Sequence, residues 1–133
     1  MIFLDTDILS YFFAGNTRIR DNIQESIKRG ERISITSINV YEVLKGLKYR
    51  NNLSKEKQFI NFLRGIVIFT LDHAALIEAA DIYAESKKNG KPANDADILI
   101  AAIVISNDGL LISNNTKHYG HIRNLRLANW LKE

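Results

Sequence analysis

Five carboxylates stand where a chain of alternating strands and helices would carry them to one edge. Asp5 and Asp7 lie one residue apart directly behind the apolar run Ile2-Phe3-Leu4. Asp95 and Asp97 lie one residue apart directly ahead of the apolar run from Ile98 to Ile105. Glu42 sits beside Val43 within an apolar stripe, and the amides Asn114 and Asn115 follow Leu110-Leu111-Ile112-Ser113. Carboxylates gathered at one place repel each other and raise one another's pKa unless a cation sits among them. Hard oxygen donors with no cysteine suit Mg²⁺ or Mn²⁺.

The elements that must position these groups can be read in order. Ile2-Phe3-Leu4 is a short continuous apolar run, which fits a strand buried on both faces of a parallel sheet. A short helix follows, and Gly15-Asn16 ends it. Ile19, Ile23 and Ile27 recur every four residues as an amphipathic helix closed by Gly30. Ile33-Ser34-Ile35-Thr36 reads as the second strand, and Ser37 can cap the next helix, whose Val40, Val43, Leu44 and Leu47 share a face. A helix is expected from about Ser54 to Arg64 with Phe59, Ile60 and Leu63 inward, then a β-branched third strand over Ile66-Val67-Ile68-Phe69. Asp72 caps a long helix carrying Ala75, Leu76, Ala79, Ala80 and Tyr83. Lys87 to Pro92 reads as a loop. Ile98 to Ile105 has no polar face, which marks a buried helix. Leu110 to Ser113 is a fourth strand, and Leu125-Arg126-Leu127 a short fifth.

Strands alternating with helices imply a three-layer α/β/α fold around a central, mainly parallel sheet of four or five strands, as one domain over residues 1–133. In such a sheet the strand ends and the helix starts share one rim, where open α/β proteins place ligands. All the groups above reach that rim. Each also has a structural alternative: Asp5 or Asp7 as a helix cap, Asp95 as an N-cap with Asp97 favoured by the helix dipole, Glu42 as a solvated residue, Asn114-Asn115 as a turn. Their convergence is the argument for a site.

The chain's bulk properties set limits. At 133 residues, 46% hydrophobic and 25% charged, it has the make-up of an ordinary globular domain. It contains no cysteine, so disulfides and thiolate metal sites are excluded, which fits a cytoplasmic protein. No apolar run has the length of a membrane span, and Asp5 and Asp7 interrupt the segment that would form the core of a secretory signal. The net charge of +3 permits nucleic-acid binding without demanding it. His118 and His121 are three apart but have no third histidine nearby, which favours a surface loop over a metal pair; His73 stands alone. Lys117, His118, His121, Arg123 and Arg126 form a basic stretch that suits phosphate or protein contact as well as plain solvation.

These residues resemble the PIN-domain family, and within it the VapC-type toxins of bacterial and archaeal toxin–antitoxin pairs. Ile2-Phe3-Leu4-Asp5-Thr6-Asp7-Ile8-Leu9 is similar to the family's opening motif, and Thr36-Ser37-Ile38-Asn39-Val40-Tyr41-Glu42-Val43 to its second. Asp97-Ile98-Leu99-Ile100-Ala101-Ala102 is similar to the third, with Asp95 as a helix-opening neighbour, and Leu111-Ile112-Ser113-Asn114-Asn115-Thr116 to the fourth. Leu125 to Trp130 completes the match. The resemblance implies a metal-dependent endoribonuclease with Asp5, Glu42 and Asp97 around one Mg²⁺ or Mn²⁺ and Asn115 as a fourth catalytic position. It gives Thr6, Asp7, Asp95, Ser113 and Thr116 supporting places, with Glu42 or Asp97 orienting the attacking water or accepting its proton. The fourth motif often carries Asp where this chain has Asn115, and many relatives have Asn in place of Asp7, so a second firmly held ion is not implied. The implied partners are an RNA substrate, a small antitoxin whose tail occupies the site, and a second copy of the chain.

Two other readings compete. One is a PIN fold kept only for binding RNA or protein. The other is a haloacid-dehalogenase-type phosphatase, which Asp5-Thr6-Asp7 resembles, although that family expects Thr or Val where this chain has Leu9.

Overall fold

The structure, a computed structural model, describes residues 1–132. These form five strands and seven helices in the order β1 (Ile2–Leu4), α1 (Thr6–Phe13), α2 (Thr17–Lys28), β2 (Ile33–Thr36), α3 (Ser37–Tyr49), α4 (Leu53–Leu63), β3 (Val67–Phe69), α5 (His73–Lys88), α6 (Asp95–Ser106), β4 (Leu110–Ile112), α7 (Thr116–Tyr119) and β5 (Arg126–Ala128). The sheet order is β3-β2-β1-β4-β5, and every pairing is parallel. The expected mainly parallel sheet is thus wholly parallel among the described residues.

β1 lies at the centre, which explains its unbroken apolar sequence. Its alternating side chains supply both layers of the core. Phe3 packs with Leu111 and the α5–α6 layer, around Ala75, Ala79, Ile82 and the buried run of α6. Ile2 and Leu4 pack with Ile35, Ile112 and the opposite layer, around Ile8, Leu9, Ile19, Leu47 and Phe59 of the first four helices. Each fully buried Ile, Leu or Phe contributes about 1.5–3 kcal/mol relative to exposure. β3 is an edge strand, with Val67 39% and Ile68 37% exposed, so its β-branched sequence serves extension more than burial.

Three local expectations are corrected. α3 is capped by Thr36, one residue before Ser37, because Thr36 and Asn39 form a reciprocal capping box. α6 is capped by Asn94, not Asp95: the Asn94 side chain accepts from the Asp97 backbone N–H at 2.8 Å. In α4 the inward ring beside Phe59 is Phe62, stacked on it at 6.1 Å, while Ile60 is 41% exposed. Gly30 closes α2 at φ +82°, a conformation that a side chain would strain.

The chain runs from β1 outward to β2 and β3, then returns to the other side of β1 for β4 and β5. The strand order therefore reverses at the β1–β4 boundary, and the crevice outside the carboxyl ends of these two strands is the ligand position of an open α/β sheet.

Candidate active site

Asp5 leaves the end of β1 and caps α1, its Oδ1 accepting from the Thr6 N–H at 2.9 Å. It is therefore both a cap and a site residue, and the two readings of it do not compete. Only 3% exposed, it is surrounded by donors: Asn39 Nδ2 to Oδ1 at 3.2 Å and Ser113 Oγ to Oδ2 at 2.8 Å. Ser113, at the end of β4, is itself fixed by the Asn115 backbone N–H at 3.0 Å. Burial pushes the Asp5 carboxyl above the ordinary carboxylate range; its hydrogen bonds oppose this, and the charge of Asp97 adds to it.

Asp97 reaches the same place from the first turn of α6. Tyr119, itself buried, donates its hydroxyl to Asp97 Oδ1 at 3.2 Å and lies close enough to Asp5 to feel its charge. Desolvation first, and then the two carboxylates, push the phenol's pKa far up, which keeps it a donor. Asp97 Oδ2 accepts from Asn94 Nδ2 at 3.0 Å and faces His118 Nδ1 at 3.5 Å.

Glu42 stands one hydroxyl further out. Thr6 Oγ1 donates to Glu42 Oε1 at 2.7 Å, and Asn39 Nδ2 donates to Thr6 Oγ1 at 3.0 Å, so Glu42 joins Asp5 through a chain of side chains. Asp7 caps locally: Oδ1 accepts from the Ile8 N–H at 2.7 Å and Oδ2 from the Asn114 N–H at 2.9 Å. Burial, then Asp5, raises its pKa, and the Asn114 bond opposes the rise. The structure thus unites Asp5, Ser113, Thr6 and Glu42 in one hydrogen-bonded network, with Asp97 beside it and Asp7 tying its β4 side. Asp95 is exposed, Asn115 is exposed with no side-chain cap bond, and the Thr116 side chain makes no bond to the acids.

Sequence reasoning did not assign roles to Asn39, Tyr119, Asn94 or His118. Asn39 had a signal, the Thr36-x-x-Asn39 spacing of a capping box. His118 and Tyr119 had none, because their contact with Asp97 depends on α7 packing against α6.

Among the described residues no three His, Asp or Glu side chains converge as a metal cage. The converging set is the Asp5–Asp97 pair with Glu42 beyond it. A pair of this kind fits Mg²⁺, which keeps several waters and is held through one or two carboxylates. The raised carboxyl of Asp5 comes chiefly from burial, and a cation would offset both that penalty and the smaller repulsion from Asp97.

Fold and site define the class: the chain belongs to the PIN domain family, whose model matches residues 2–123. Within it, the chain is 27% identical over 130 residues to Ribonuclease VapC2 of Rickettsia felis, covering 97% of each protein. It is 24% identical over 131 residues to the tRNA(fMet)-specific endonuclease VapC of Shigella flexneri, covering 96% of each. Among solved structures it resembles a chain of VapBC2 from Rickettsia felis bound to a promoter DNA fragment, with TM-score 0.89 and 25% identity over 98% of this chain and 99% of that one. It also resembles a chain of VapBC-1 from nontypeable Haemophilus influenzae, with TM-score 0.84 and 25% identity over 99% and 100%. PIN-domain ribonucleases are generally metal-dependent.

Proposed function

We propose that this protein is a metal-dependent endoribonuclease, the toxin of a toxin–antitoxin pair, acting on RNA in the cytoplasm. The observation that carries the reading is the pairing of buried Asp5 with half-buried Asp97, held by Tyr119, at the β1–β4 switch point, in a chain that matches VapC ribonucleases over nearly its full length. The relatives' VapBC assemblies support a cognate antitoxin as partner. The proposal extends to a homodimer.

Asp5 and Asp97 hold Mg²⁺, with Mn²⁺ as the alternative, and Glu42 completes the acidic side from beyond Thr6. When bound, the ion supplies positive charge at the phosphoryl group and lowers the pKa of a water. Asn39, Ser113 and Tyr119 fix the carboxylates before substrate arrives, so little reorganisation is left for the reaction step. Glu42, fixed by the Thr6 hydroxyl, orients the attacking water or takes its proton. Asn115, exposed at the rim, offers a neutral amide to the substrate.

A binding module without chemistry draws on the lack of a third converging acid among the described residues. Incubating structured and unstructured RNAs with the protein in Mg²⁺, Mn²⁺ or EDTA separates the two. The nuclease reading expects cleavage with an ion and none in EDTA; intact RNA under every condition moves the binding module ahead.

A further inference from the structure

A groove of about 370 Å³ runs between α1, α3 and α4 beside the acid network. One end is lined by Thr6 and Glu42, joined at 2.7 Å, and its lining also includes Arg50, Lys55 and Gln58. Arg50 lies about 12 Å further along α3 than Glu42. Its guanidinium rests over Gly46, where an added Cβ would stand 3.3 Å from Nη1 and 3.6 Å from Nη2. The bare backbone at Gly46 therefore makes the seat in which the guanidinium lies.

Neither Arg50 nor Lys55 has a side-chain partner among the described residues. The nearby Lys48 is different, since Glu56 neutralises it at 3.2 Å. Two unpaired cations in a groove that ends at the acid site are complementary to an anion. Phe13, 39% exposed, adds an aromatic surface to the same lining. Cations tracking a backbone beside an aromatic ring make up the chemistry of a single-strand nucleic-acid groove. A duplex hides its base faces in the stack, so only an unpaired base could reach Phe13.

We propose that this groove is the subsite for a nucleotide flanking the scissile phosphate, with Arg50 and Lys55 on its phosphate and Phe13 against its base. The inference rests on the ribonuclease reading and names single-stranded RNA as what enters.

The test is fluorescence anisotropy with a labelled single-stranded RNA oligonucleotide of mixed sequence, in EDTA so that nothing turns over, and with polyglutamate as a second probe. The variants are Arg50→Ala/Lys55→Ala and Phe13→Leu, with melting curves to verify folding and Arg50→Lys as the charge-keeping control. The double variant is expected to bind RNA about tenfold more weakly, with the log affinity–log salt slope smaller by about 0.7, the value for one single-strand phosphate contact. Phe13→Leu is expected to weaken RNA binding and leave polyglutamate unchanged. RNA affinity and salt slope unaltered in the double variant would overturn the subsite while wild-type cleavage kept the nuclease. Polyglutamate binding as tight as RNA binding, and equally lost in the double variant, would overturn it in favour of an acidic protein segment. Failure of the wild type to cleave any RNA would strike the parent reading instead, and the binding measurements would still decide the groove.

Discussion

The Tyr119 hydroxyl donates to Asp97 Oδ1 at 3.2 Å, with the charge of Asp5 close by. A residue from α7 thus orients the acid delivered by α6 beside the one that follows β1. Groups that orient metal ligands are worth about 10–100-fold in affinity. Tyr119→Phe keeps the ring in its buried place and removes only this hydrogen bond to Asp97. Its Mg²⁺ affinity, measured by calorimetric titration, is expected to fall at least about tenfold, with a stability loss near 1 kcal/mol. Unchanged affinity would make Tyr119 a core residue and no more.

Asn39 is fully buried and has all its polar capacity engaged: its carbonyl accepts from the Thr36 N–H and hydroxyl at 3.1 and 2.7 Å, and its amide donates to Asp5 and Thr6. Asn39→Ala would strand buried partners on both sides. Urea unfolding is expected to show a loss of about 3 kcal/mol, combining unsatisfied polar groups and a cavity. A loss under about 1 kcal/mol would mean that water replaces the amide freely.

Asp5 and Asp7 have carboxyls raised above the ordinary value of 3.8 by burial. A raised acid stabilises the fold fully below the ordinary pKa, and that contribution is lost as pH rises through the shifted value. In EDTA, the melting temperature of Asp5→Asn relative to wild type should therefore climb as pH increases from about 4 to neutral. Mg²⁺ needs the deprotonated carboxylates, so it should raise the wild-type melting temperature more at pH 7.5 than at pH 5. A pH-independent difference between the two proteins would show that Asp5 keeps an ordinary pKa.

Much of this was legible in the sequence because it depended on local patterns. The apolar runs of β1 and α6 announced central burial, and the strand–helix alternation fixed which rim would gather Asp5, Glu42 and Asp97. What remained hidden was the polar lattice behind the acids. Tyr119 and His118 sit in a basic, solvent-like stretch, and nothing in it reveals that α7 folds back onto Asp97. Asp95 and Asp97 share a sequence pattern but differ in their turn position, so Asp97 faces Tyr119 while Asp95 is exposed. Likewise the outward displacement of Glu42 depends on the Thr6 hydroxyl, a tertiary contact across 36 positions.

The most direct test is RNA cleavage in Mg²⁺ by wild type, Asp5→Asn and Asp97→Asn, with the folding of each variant checked by circular dichroism. Each substitution preserves shape and removes one charge of the pair. The account expects wild-type cleavage that EDTA abolishes, and loss of activity by about 100-fold or more in both folded variants. Cleavage at the wild-type rate by either folded variant would contradict the assignment of the metal site to Asp5 and Asp97.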